Sequence, residues 1–278
     1  MILSRIRHEL SITRLRTPLV WFHHRELRAA DVMVASYPRS GSTWLRFVLA
    51  ELLTAAPSDF ANVNRSIPAV GSHGNAVPLL PTGGRLIKTH EPYRAEYRRG
   101  IYMVRDPRDV VISEYAYQLA LGRFANRFDR FVDAFLAGGV NGYGSWQDHV
   151  AGWLEAPLAH TGDLLLVRFE DLRAATEATL VRVLGFLGCS ANAAAIRAAI
   201  ANNSINNMRV KELRSPQKAS RHGRFVRNGS VGGWRELMSD RHLRLVEQYA
   251  GDAMLRLGYL DPEAAGGRPP SAQSTLAR

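Results

Sequence analysis

The sequence predicts an α/β fold in which a central parallel sheet is covered by helices on both faces. Short apolar runs, too short for buried helices, recur at 31–37, 85–88, 100–104 and 163–169. Segments with the three-to-four apolar spacing of helices alternate with them, and such alternation implies parallel strands. The 278 residues, 46% hydrophobic and 22% charged, suit a single core. In sheets of this kind ligands gather at the carboxyl ends of the strands.

The elements follow in order. Residues 1–30 form a basic amphipathic segment in which Arg5, Arg7, Arg14 and Arg16 interleave with Ile2, Leu3, Ile6, Leu10 and Ile12 before Pro18-Leu-Val-Trp-Phe22. It fits either an anionic membrane surface or the domain's own surface. The strand at 31–37 is stopped by Pro38, and from Ser42 the residues Trp44, Leu45, Phe47, Val48, Leu49, Leu52 and Leu53 trace a helix with a wide apolar face. Pro, Gly, Ser and Asn between 55 and 84 predict a long surface loop. After the strands at 85–88 and 100–104, Pro107 suits a helix's first turn. The strand at 163–169 leads into a helix at about 171–187, and helices at 191–213 and 240–257 flank a basic, glycine-rich stretch at 218–233. This gives a 31–260 domain followed by a tail, 261–278, without apolar periodicity and expected to be disordered.

Thirty-six Lys and Arg against 25 Asp and Glu give a formal charge of +11, which favours anionic ligands, membranes or nucleic acid without choosing among them. The single cysteine, Cys189, excludes an intrachain disulfide, and its apolar setting predicts a buried thiol. With no apolar run of bilayer-spanning length and no signal-peptide pattern, the expected location is the cytoplasm, with a possible peripheral contact at the inner membrane face.

The chemistry concentrates in Tyr37-Pro-Arg-Ser-Gly-Ser-Thr-Trp44, placed between a buried strand and a helix start. Gly41 permits a tight turn, Ser42 and Thr43 bring hydroxyls, and the helix's first N–H groups can surround a phosphate, as in a P-loop-like architecture. The Gly-Lys-Ser/Thr ending that serves ATP or GTP hydrolysis is absent. A second strand-to-helix junction, Val104-Arg-Asp-Pro-Arg-Asp-Val-Val-Ile-Ser113, repeats the arrangement with Arg105 at its mouth. Asp106 and Asp109 read more simply as ion-pair partners of the adjacent arginines than as metal ligands.

The 37–44 loop resembles the 5′-phosphosulfate-binding loop of sulfotransferases that use 3′-phosphoadenosine 5′-phosphosulfate (PAPS), and 104–113 resembles that family's 3′-phosphate motif. The resemblance implies that Arg39, Ser40, Gly41, Ser42, Thr43 and Trp44 hold the donor, with Trp44 against adenine and Arg105 and Ser113 on the 3′-phosphate. Arg39 stands where cytosolic members usually have lysine, keeping the charge but not the ability to give a proton. Arg224-Phe-Val-Arg-Asn-Gly-Ser-Val-Gly-Gly-Trp234 is similar to the loop that covers the nucleotide, so Arg227, Asn228 and Gly229 join the set; Ser204-Ile-Asn-Asn-Met208 matches an adenine-side segment. Phe169 occupies a position where many relatives carry tyrosine.

Lys88-Thr-His90, at a strand end, resembles the family's catalytic context and implies His90 as general base, with Arg39 and Lys88 stabilising charge. The implied reaction is in-line transfer of a sulfuryl group to a hydroxyl or amine of a small-molecule, glycan or lipid acceptor, leaving 3′,5′-adenosine bisphosphate (PAP), without a metal and without nucleic acid as partner. A phosphate-loop kinase dependent on magnesium, and a non-enzymatic binder of nucleic acid or anionic membrane, are the alternatives. The sequence leaves the acceptor and the oligomeric state open.

Overall fold

The computed structural model describes residues 16–124, 127–215, 226 and 229–261, so the basic residues before 16 and the tail from 262 lie outside it. Helix α1 (Arg16–His24) comes first and leaves Leu19, Trp21 and Phe22 exposed. Strand β1 (Val32–Ser36), buried throughout, runs into the 37–41 turn and then helix α2 (Ser42–Thr54). A single-turn helix, α3 (Val63–Ser66), precedes β2 (Leu86–Thr89). Strand β3 (Arg99–Val104) leads into α4 (Pro107–Ala120), whose N-cap Asp106 accepts from the Arg108 N–H. Helices α5 (Phe128–Leu136), α6 (Trp146–Leu154) and α7 (Pro157–His160) come before β4 (Leu164–Arg168). The helices α8 (Phe169–Ala174), α9 (Thr176–Phe186), α10 (Ala193–Asn202), α11 (Ile205–Leu213), α12 (Trp234–Leu237) and α13 (Asp240–Arg256) complete the order.

All four strands are parallel, in the order β2-β1-β3-β4, with Val34 opposite both Lys88 and Ile101. Side chains alternate along β1. Val32 and Val34 join Leu45, Val48, Leu49, Leu180 and Val183 on one face; Met33 and Ala35 join Phe131, Phe135, Trp146, Trp153, Val246 and Met254 on the other. Helices therefore cover both faces, as expected. Each large apolar side chain buried in these layers contributes about 1.5–3 kcal/mol. The chain leaves β1 toward β2 on one side and reaches β3 on the other, so the crevice between the carboxyl ends of β1 and β3 is the topological switch point.

Several expectations are refined. The helix expected at 171–187 is two, broken at Ala175 (φ −133°, ψ 60°), and the stretch expected at 191–213 breaks at Asn203, after which Ser204 caps α11. The 55–84 segment is more than a surface loop: it contains α3, buries Phe60, Val63, Ile67 and Leu80, and bridges Ala69 to Lys88. Its end is fixed by Arg85, whose Nε and Nη2 donate to the two Asp31 carboxylate oxygens at 2.9 and 2.6 Å while Nη1 reaches the His73 carbonyl. Cys189 is half-buried rather than buried. Among the described residues no helix is long and apolar enough to cross a membrane.

Candidate active site

The 37–41 turn requires unusual backbone. Arg39 (φ 69°) and Gly41 (φ 93°) both take left-handed conformations, and a Cβ on residue 41 would lie 2.6 Å from Phe169 Cδ2. Gly41 occupies the N-cap position of α2 without any side-chain cap, leaving the helix's first N–H groups and the positive end of its dipole for a ligand. Ser36 Oγ donates to Ser42 Oγ at 2.9 Å, tying the strand end to the helix start.

This turn borders a cavity of about 460 Å3, within the usual range of small-molecule sites of roughly 300–1,000 Å3. Of the sequence-predicted residues, Arg39, Gly41, Ser42, Thr43, Trp44, Lys88, His90, Arg105, Ser113 and Gly229 all line it. Two do not. Ser40 is buried, its Oγ without a hydrogen-bond partner among the described residues. Ser204 is exposed, its hydroxyl accepting from the Asn207 N–H as a helix cap, and Ile205 and Met208 of the same segment reach the cavity instead. Arg227 and Asn228 lie outside the described residues.

His90 sits at the end of β2. Its Nδ1 donates to the Ser36 carbonyl at 2.7 Å, so the neutral ring presents the lone pair of Nε2. The Tyr143 ring meets it edge-on, with centroids 5.7 Å apart. Burial first, then the Lys88 cation, hold the imidazole well below the ordinary histidine range. Behind it, the His90 carbonyl accepts from His149 Nε2 at 3.0 Å, and His149 Nδ1 lies 2.9 Å from the Tyr102 hydroxyl. Burial lowers His149 to about 4, so this supporting ring is neutral.

The loops after β1 and β3 are laced together. Arg39 Nε donates to Ser113 Oγ at 3.2 Å, and Arg105 Nη1 donates to the Arg39 carbonyl at 3.3 Å. Arg105 also donates from Nη2 to the Ser230 carbonyl at 2.7 Å, and its guanidinium lies 4.6 Å from the Phe169 ring centroid. Asp109 accepts from the Gly232 and Trp234 N–H groups and faces Arg105 at 3.7 Å, while Asp106 pairs with Arg108 at 2.7 Å. These carboxylates are occupied by arginines and backbone, as the ion-pair reading expects. Among the described residues no cluster of three or more His, Cys, Asp or Glu is placed to hold a metal ion. Trp44 is half-buried, its Nε1 donating to the Asn203 carbonyl at 2.7 Å with the indole facing the cavity.

The cavity also gathers residues that pattern reading passes over. Arg46 and Asn64, the rings of Phe60, Tyr117 and Tyr143, the carboxyl of Glu114 and the cation of Arg173 all line it. Burial pushes the Glu114 carboxyl above the ordinary range, with the Gln118 amide donating to it at 2.8 Å.

The family model for the sulfotransferase domain matches residues 29–258. The chain belongs to the sulfotransferase family. It is 27% identical over 257 residues to sulfotransferase 2B1 of Homo sapiens, covering 84% of this chain and 67% of that protein. It is 24% identical over 262 residues to sulfotransferase 2A1 of Mus musculus, covering 88% and 87%. Among solved structures, mouse sulfotransferase SULT7A1 complexed with PAP aligns with a TM-score of 0.64 at 22% identity, over 84% of this chain and 86% of that one. A retinol dehydratase in complex with androsterone and PAP aligns at 0.69 and 20% identity, over 87% and 85%; these two likenesses establish the fold. The sulfotransferase is thus a PAPS-dependent enzyme, which sets aside the kinase and non-enzymatic alternatives. The site suits such a donor: a glycine-walled turn at a helix N-terminus and the cations Arg39, Lys88 and Arg105 around one cavity.

Proposed function

We propose that this sulfotransferase carries a sulfuryl group to the hydroxyl of a small-molecule acceptor, with His90 as general base. The observation that carries the reading is the fixed tautomer of His90, whose Nδ1 is bound to the Ser36 carbonyl and whose Nε2 is left as an acceptor in the cavity. The donor supplies a sulfuryl group on a phosphate that leaves readily. The first N–H groups of α2, with Ser42 and Thr43, hold the 5′ end, Arg105 and Ser113 hold the 3′-phosphate, and Trp44 with Ile205 and Met208 packs the base. His90 takes the acceptor's proton as its oxygen attacks sulfur, and Lys88 and Arg39 balance the charge that moves to the departing phosphate.

The acceptor side is lined by Phe60, Val63 and Tyr143, and an aromatic and apolar wall of this kind favours a small molecule over a glycan chain. The catalytic unit corresponds to 31–260. The enzyme works in the cytoplasm, and α1 gives it a peripheral contact with anionic membrane: exposed Leu19, Trp21 and Phe22 lie beside Arg25, whose guanidinium is 3.6 Å from the Phe22 ring centroid. The test is to incubate the protein with PAPS, pooled phenols, alcohols and amines and excess EDTA, and to read added sulfuryl mass. Product in EDTA is the expected result; no product in any pool, with PAPS intact, counts against the reading.

A further inference from the structure

Arg46 is buried on α2, and among the described residues no carboxylate pairs with it. Its Nη2 donates to the Val63 carbonyl at 3.3 Å and to Asn64 Oδ1 at 2.8 Å, both neutral, and its Nε is buried without a partner. The other buried arginines differ. Arg85 meets Asp31 at 2.6 Å, Arg108 meets Asp106 at 2.7 Å and Arg105 faces Asp109 at 3.7 Å. Burial pulls the Arg46 guanidinium down to about 10, the mark of a cation without a counter-charge. A buried cation held by neutral acceptors is expensive, and where it lines a cavity an anionic ligand relieves the expense.

Its position ties it to His90 through the start of α2. Arg46 and Ser42 are four residues apart and share a face of α2; Ser42 Oγ is 2.9 Å from Ser36 Oγ, which is 3.3 Å from His90 Nδ1. Trp44, two residues on, points instead to Asn203 on the nucleotide side. Arg46 therefore lies on the His90 side, close enough that its charge helps to lower His90. Its braces, Val63 and Asn64, come from the 55–84 segment, which contains no nucleotide motif. Phe60 and Tyr143 supply aromatic wall in the same cavity.

We propose that Arg46 is an anion receptor for the acceptor: the preferred acceptor carries a carboxylate or phosphate group that pairs with this guanidinium while its hydroxyl meets His90. The proposal rests on the sulfotransferase reading of the cavity and adds the acceptor's charge class. A fork of guanidinium N–H groups matches either anion, and desolvation makes the pair strong.

The probes are 4-hydroxybenzoate, 4-hydroxyphenylacetate and 3-(4-hydroxyphenyl)propionate, each against its amide, with 4-hydroxybenzylphosphonate to separate carboxylate from phosphate preference. Binding to the PAP-saturated protein is measured by calorimetry. At least one anion should bind tenfold or more tighter than its neutral partner, and Arg46→Met should erase the preference while leaving PAP affinity unchanged. Arg46→Lys, which keeps the charge, should retain part of it. Arg46→Met should unfold at or above the wild-type temperature, because it removes an unpaired buried charge; the wild-type and Arg46→Lys comparisons decide the matter if it does not fold. Equal binding of every anion and its neutral partner would overturn the proposal, as would a preference that survives Arg46→Met. So would PAP affinity falling in Arg46→Met as far as the anion's, which would assign Arg46 to the donor. Wild-type protein that fails to bind PAP would sink the underlying site reading as well, whereas PAP binding without anion preference sinks this proposal alone.

Discussion

Replacing Gly41 by alanine perturbs the turn on which the proposed donor site is built, and two physical effects add. A residue with a Cβ held in the left-handed region costs about 1–2 kcal/mol. The new methyl would also stand 2.6 and 2.8 Å from the Phe169 ring and 3.2 Å from Met103 Cε, an overlap that core packing relieves only at about 1–3 kcal/mol. The expected loss is therefore about 2–5 kcal/mol. Gly83 isolates the first effect: its φ is 76°, and a Cβ there meets nothing within 4 Å. Gly83→Ala should lose only about 1–2 kcal/mol. Urea unfolding monitored by tryptophan fluorescence measures both. Calorimetry with PAP should find weakened binding in Gly41→Ala alone, because Phe169 lies beneath Arg105. Equal stability losses for the two variants, or unchanged PAP affinity in Gly41→Ala, would refute the packing argument.

Four further outcomes are expected, three from the site and one from α1. His90→Ala should lower turnover by about 10²–10⁴ while leaving PAP affinity intact, as read by kcat and calorimetry. The proposed base, His90, has a lowered pKa and would act as neutral imidazole, so the acidic limb of kcat/KM should lie below the ordinary value of about 6.5; Lys88→Met, which removes a lowering cation, should move that limb upward. His149, at about 4, gives stability that is complete above about pH 6.5 and lost as pH falls toward 4, by up to about 3 kcal/mol, and urea titrations at pH 7 and 4.5 should differ less in His149→Gln. Wild-type protein should sediment with vesicles containing anionic lipid more than with neutral ones, and Trp21→Ser with Phe22→Ser should abolish the difference.

The 37–44 turn was legible because a buried strand, a proline stop, a glycine and an apolar helix stand within a few residues, and each has a separate physical cause. His90 and Lys88 were legible as strand-end residues, and the Arg105 junction from Pro107 opening a helix. The stretch from 121 to 162 was not. Its helices α5 and α6 span nine residues each, so the apolar period repeats too few times to stand out. Arg46 escaped because the helical pattern marks apolar positions as buried, whereas its burial depends on α3, 17 residues away in sequence. Ser204 sits beside the site but caps α11, and a cap and a ligand contact share the same residue type. The Arg39–Ser113 contact spans 74 residues, and no local signal announces it.

In the proposed binding mode one cavity holds a nucleotide through its 3′-phosphate, and the decisive experiment is calorimetry of PAP against AMP. PAP should bind far more tightly, and Arg105→Ala should narrow the gap by about 1.5–3 kcal/mol, the scale of a charged hydrogen bond. Equal affinity of the wild-type protein for PAP and AMP would rule out a 3′-phosphate site at Arg105 and Ser113.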